Sequence, residues 1–125
     1  DQRQQLGLLQ NYLHEKSGAQ QIALPQSNSI ELVQIRDIIY CKSENNYTWF
    51  FFTDESKILV CKTLKEYERL LDPFGFLRIH QSYLVNPRHV ISIDVRGATI
   101  KLVGKRIVPI AQARKSRVLK ALRSL

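Results

Sequence analysis

From Ile22 to Ile110 the chain is divided into short apolar runs by turn residues, and this spacing limits the fold more than any other feature. Residues 22–24 and 30–33 flank Pro25, Ser27, Asn28 and Ser29, which reads as a hairpin. Residues 35–41 lead into another strand, and residues 42–46 read as a polar loop. The run from Tyr47 to Thr53 is rich in aromatic and β-branched side chains, so it favours a pleated, half-buried surface. Residues 54–56 turn the chain and 57–61 return as its antiparallel partner. Further short strands fall at 90–95, 98–103 and 106–110, with turns at Arg96-Gly97 and Gly104-Lys105.

Helix signals are few. Thr63 with Glu66 three residues on forms a capping box, and Leu64, Tyr67, Leu70 and Leu71 then share a face until Asp72-Pro73 ends the helix. A last helix is expected over residues 114–122, with Val118, Leu119 and Leu122 on one side. Residues 2–16 also read as a helix, with Leu6, Leu9 and Leu13 in an apolar stripe too short to stand alone in water. That stripe suits either a linker from an upstream domain or packing on the domain's own sheet. Ser17-Gly18 stops it.

The 125 residues suit one globular domain with at most a short appendage. The chain opens on Asp1, and it has no apolar run of membrane length and no signal-peptide pattern, so a cytoplasmic piece of a longer protein is expected. Cys41 and Cys61 both lie in apolar runs and read as buried reduced thiols. The formal net charge is +8, and it is unevenly placed: beyond Asp94 the chain carries nine Lys and Arg and no acid. Such asymmetry favours a polyanionic partner, nucleic acid before a membrane surface. His14, His80 and His89 have no paired carboxylate nearby, and there is no phosphate-cradling loop, metal-ligand cluster or nucleophile motif. No enzyme, cofactor, metal or small-molecule substrate is expected.

Residues 76–91 thread Arg78, His80, Gln81, Ser82, Asn86, Arg88 and His89 between core-seeking side chains. This density of polar groups marks a surface-forming element fixed to a core. Here the chain resembles a known family. Ile38-Ile39-Tyr40, Asn46-Tyr47-Thr48, the Thr63–Glu68 segment, Arg78-Ile79-His80 with Ser82-Tyr83-Leu84-Val85-Asn86, and Val108-Pro109-Ile110 are similar, in order and spacing, to the LytTR DNA-binding domain of bacterial two-component response regulators. The resemblance covers about residues 20–122.

That resemblance implies a mainly β fold: an elongated stack of small antiparallel sheets with a short helix after residue 62, a C-terminal helix and an N-terminal linker helix. It places the domain at residues 20–125 and the linker at 1–19, following an upstream, receiver-type domain. It implies duplex DNA as partner, bound at paired promoter repeats by dimers formed through that upstream domain, with no membrane involved. Loops would enter the DNA in place of a recognition helix. The contact regions carry over to Lys42, Asn45, Asn46 and Thr48; to Arg78, His80, Gln81 and Ser82; and to Gln112, Arg114 and Lys115, with Arg88 as a further cation. Gln81 stands where the family often has Arg or Lys, Ala111-Gln112 where it often has Ser-Arg, and Lys42 where it usually has an acid. Amides favour adenine where Arg favours guanine, while most Lys and Arg hold phosphates.

The residues alone leave other roles open. Asn45-Asn46 suits an ordinary turn as well as a base contact. His80 suits a half-buried imidazole, and Asn86 before Pro87 a structural turn. Tyr47, Trp49 and the three phenylalanines from Phe50 suit a core better than a stacking platform. The rival to duplex DNA binding is an RNA-binding or protein-interaction β module using the same basic face.

Overall fold

A computed structural model describes residues 20–125. The helix expected over residues 2–16 lies outside them. The chain divides into two compact units, one ending at Asp37 and one beginning at Ile38.

In the first unit, β1 (Gln21–Pro25) and β2 (Ile30–Gln34) form the expected antiparallel hairpin. The Gln26 N–H donates to the Ser29 carbonyl at 2.7 Å and closes the turn. The run expected to continue as strand from Ile35 instead opens with a 3-10 turn, Ile35–Asp37. Asp37 is a poor strand former, and pairing resumes only beyond it.

The second unit holds two sheets. One has five strands in the order β5-β4-β3-β7-β6, from β3 (Ile38–Glu44), β4 (Tyr47–Phe52), β5 (Lys57–Val60), β6 (Leu77–His80) and β7 (Tyr83–Val85). The other has three, β10-β9-β8, from β8 (Val90–Asp94), β9 (Thr99–Leu102) and β10 (Arg106–Pro109). Every pairing is antiparallel. With two helices, α1 (Leu64–Leu71) and α2 (Lys115–Arg123), this is the mainly β architecture of small sheets that the sequence implies.

Pleat alternation decides how the layers meet. On β4, Phe50 and Phe52 are buried on one face, and the Phe50 ring meets the Tyr67 ring of α1 edge-on at 4.7 Å. Phe51 faces the other way and stacks on Tyr40 at 4.4 Å. Ile79 and Val85 of the larger sheet, Ile100, Leu102 and Val108 of the smaller one, and Val118 and Leu122 of α2 form one apolar cluster. Thr63 caps α1 as expected, its hydroxyl accepting the Glu66 N–H at 3.3 Å. Leu70, expected beside Leu64, Tyr67 and Leu71, is 50% exposed, because it falls at the margin of so short a stripe. A 3-10 turn, Asp72–Phe74, carries the chain to Gly75, whose φ of 87° is left-handed and suits glycine.

The polar loop over residues 42–46 is shorter than expected: β3 runs on to Glu44, Glu44 pairs with Tyr47, and only Asn45 and Asn46 turn. Asn45 has a φ of 56°, which Asn tolerates better than most residues. The cysteines also differ from each other. Cys41 is fully buried, and burial pushes its thiol well above the ordinary range, whereas Cys61, just past the end of β5, is exposed. Under native conditions a thiol reagent should therefore modify Cys61 promptly and Cys41 only after unfolding, slower by orders of magnitude. Equal rates at both positions, followed by mass spectrometry, would contradict this packing.

Asn86 is the structural residue its place before Pro87 suggests. It is 2% exposed. Its Nδ2 donates to the Ile38 carbonyl at 2.9 Å, and its Oδ1 accepts the Arg88 N–H at 3.1 Å.

Candidate nucleic-acid interface

The candidate residues come together through backbone pairing. β3 and β7 run antiparallel with Lys42 opposite Tyr83. The end of β3 therefore lies beside the start of β7, and the Ser43 N–H donates to the Ser82 carbonyl at 2.9 Å. The Asn45-Asn46 turn and the Gln81-Ser82 turn thus leave the five-stranded sheet at the same end. The segment after β10 joins them, because the Ala111 N–H donates to the Ile79 carbonyl of β6 at 2.9 Å. That bond sets Gln112, and the 3-10 turn Gln112–Arg114 leading into α2, next to the strand that ends in His80.

At this edge Asn45, Asn46 and Lys42 are exposed, as are Gln81 and Gln112, while Arg114 and Lys115 are half-buried. The Gln81 side chain holds no partner among the described residues. Lys42 Nζ sits 5.8 Å from the centre of the Tyr83 ring, a cation held over an aromatic face. Tyr47, 42% exposed, stands beside the turn. Trp49 does not offer a free face: its Nε1 donates to Glu44 at 2.7 Å, and Lys57 Nζ lies 4.6 Å over its ring.

Four of the sequence-derived contacts sit differently. Thr48 is 0% exposed, and its hydroxyl donates to the Lys62 carbonyl at 2.7 Å, so it braces the hairpin from within. Arg88 follows the far end of β7, where the Asn86 N–H meets the Ile39 carbonyl, and is not brought to this edge. His80 is half-buried. Its Nδ1 accepts the Ser82 N–H at 3.0 Å, so the neutral ring carries its proton on Nε2, and it packs edge-on to Tyr83 at 5.5 Å. Arg78, only 13% exposed along its side chain, bonds Glu68 Oε1 at 2.7 Å, the His80 carbonyl at 2.8 Å and the Gln81 carbonyl. These partners leave it little surface for a phosphate.

Sequence reasoning missed Glu68 and the backbone of Ala111. The acid lies ten residues from its arginine on a different element, and a backbone donor has no side-chain signature. Among the described residues no three His, Cys, Asp or Glu gather as metal ligands, and no helix is long and apolar enough to cross a membrane.

A β domain that carries polar turns to one edge is the fold class this geometry defines. Its backbone is similar to a LytTr DNA-binding domain from Bacillus cereus, with a TM-score of 0.70 and 24% identity over 82% of this chain and 95% of that one. The family model described as the LytTr DNA-binding domain matches residues 28–123, and the chain belongs to that family. Among curated proteins it is similar to the sensory transduction protein LytT of Bacillus subtilis, at 32% identity over 62% of this chain and 32% of that protein. It is similar also to the transcriptional regulatory protein LytR of Staphylococcus aureus, at 30% identity over 60% of this chain and 30% of that protein. The chain therefore spans about a third of the length of these relatives.

Proposed function

We propose that this domain binds duplex DNA sequence-specifically as the output module of a cytoplasmic transcriptional response regulator, reading promoter repeats with turns and not with a recognition helix. The observation that carries the reading is the convergence of three polar segments, at Asn45-Asn46, Gln81-Ser82 and Gln112–Lys115, on one edge of a five-stranded sheet. A sheet fixes such turns rigidly enough to address base edges in the major groove. In this reading Asn45, Asn46, Gln81 and Gln112 face bases, while Lys42, Arg114 and Lys115 hold phosphates. His80, Ser82 and Thr48 shape the turns, and Arg88 plays no direct part.

The regulatory names of the longer relatives support placing the domain behind a signal-receiving one. Residues 1–19 then act as the linker, and dimers form on DNA through the upstream part. If about five or six phosphates are neutralised, log K for duplex binding should fall with log salt at a slope of roughly −5. Binding-site selection on random duplexes, then titration of the winner across salt, checks both parts of the reading. A flat salt response, or tighter binding to single-stranded RNA than to any duplex, would count against it.

A further inference from the structure

We propose that Arg78, held by Glu68, sets the position of Gln81 and so governs the sequence selectivity of the domain without touching DNA itself. The proposal rests on the reading of the Gln81 turn as a base-reading element.

A guanidinium presents its N–H groups in a rigid planar fork, so one side chain can fix several acceptors in one geometry. Here Nε takes the His80 carbonyl at 2.8 Å and Nη2 takes the next carbonyl along, that of Gln81. Two successive carbonyls drawn to one fork curl the chain where β6 ends. β6 is already bulged at this point, since Arg78 and His80 oppose the neighbouring residues Leu84 and Tyr83. Bulges re-aim side chains at strand ends.

The rest of the turn is held as well. His80 Nδ1 takes the Ser82 N–H at 3.0 Å, and the Ser82 carbonyl takes the Ser43 N–H at 2.9 Å. The backbone at residues 80–82 is thus bonded on each side, while the Gln81 side chain stays exposed and without a partner among the described residues.

Glu68 supplies the remaining anchor. Its Oε1 meets Arg78 Nη1 at 2.7 Å, tying the fork to α1. Glu68 carries the wrong charge to attract a phosphate, so its influence on base choice runs through Arg78. An amide reading adenine needs two hydrogen bonds at once, and a recognition group must be held to within about 0.5 Å of its working geometry.

Three variants test the clamp, Glu68→Ala, Arg78→Lys, and the exchange of Glu68→Arg with Arg78→Glu, and Arg78→Ala serves as the control for lost charge. For each, affinity is measured for the selected duplex and for random duplex, with the salt slope and Tm. Glu68→Ala is on a helix, at a side chain 39% exposed, and alanine is the strongest helix former, so the fold persists. The ratio of selected to random affinity should fall roughly tenfold in both single variants, the scale of one bidentate base contact. The salt slope should not change, and random-duplex binding by Glu68→Ala should not weaken, since an acid has been removed. The exchange variant restores opposite charges at the pair but places no donor at the two carbonyls, so it should not recover the ratio.

An unchanged ratio in folded Glu68→Ala and Arg78→Lys, with lowered Tm only, overturns the proposal and leaves the clamp a stabilising contact. So does a full ratio in Arg78→Lys joined to a loss of about one unit of salt slope in Arg78→Ala, which identifies a phosphate ligand. A wild-type protein that prefers no duplex over another removes the base-reading turn, and the clamp proposal with it. A selective wild type with unaltered variants removes the clamp alone.

Discussion

Asn86→Ala should destabilise the domain by about 3 kcal/mol and lower Tm by roughly 10 °C. The amide bridges two strands that the sequence keeps far apart. Its Nδ2 donates to the carbonyl of Ile38, itself 0% exposed, and its Oδ1 caps the 3-10 turn through the Arg88 N–H. Alanine removes both bonds and takes from the Ile38 carbonyl a donor whose loss costs about 1–3 kcal/mol by itself. The lost cap adds about 1 kcal/mol. Asn86→Asp should be no better: it keeps an acceptor for Arg88 but turns a carboxylate oxygen towards the Ile38 carbonyl. Urea unfolding reads the effect as a lower midpoint at constant slope. A midpoint within experimental error of wild type would mean that the carbonyl has found another donor.

Asn86 also shows what kind of information the sequence holds. Its role as a structural turn residue is legible from Pro87 alone, because proline restricts the residue before it. Its long-range partner is not, since nothing local links residue 86 to residue 38. The same division recurs through the fold. The Thr63 cap, the hairpins and the aromatic-rich strand β4 follow from nearest-neighbour chemistry, and the structure has each of them. Cys61 shows the opposite: it sits at the end of an apolar run, yet β5 stops at Val60 and the thiol faces water. A run of apolar residues does not say where pairing ends.

At the candidate interface the turns were legible as polar interruptions, and their grouping was not. Ser43 to Ser82 and Ala111 to Ile79 are backbone bonds, and side-chain identity says little about them. The surroundings of Arg78 are not legible for a related reason. A cation in a DNA-binding sequence reads as a phosphate ligand until its acid and its two carbonyls are seen around it. The burial of Thr48 is not legible either, because a hydroxyl on an aromatic strand suits either water or the interior, and the pleat sends it inside.

Gln81→Arg should move base preference at one position of each half-site from adenine towards guanine by about 1–3 kcal/mol. The wild-type amide has one acceptor and one donor group, matching the N6 and N7 edge of adenine. Arginine offers donors only, matching O6 and N7 of guanine. The backbone carbonyl at 81 is held by Arg78 and the following residue by His80, so the substitution changes the side chain without freeing the turn. The position is exposed, so stability should stay within about 0.5 kcal/mol of wild type. The added charge should also tighten binding to every duplex and steepen the salt slope by up to about one unit. That general gain is separable from the shift in preference, because it cancels when half-site variants compete against one another. Gln81→Ala is the companion: it should flatten preference at the same position without introducing a new one. A competition among the four bases at each half-site position, run for wild type and both variants at one salt concentration, gives the answer. If Gln81→Arg raises affinity for all four equally and the preference stays where it was, Gln81 faces the backbone of the duplex, and the base-reading role passes to Asn45, Asn46 or Gln112.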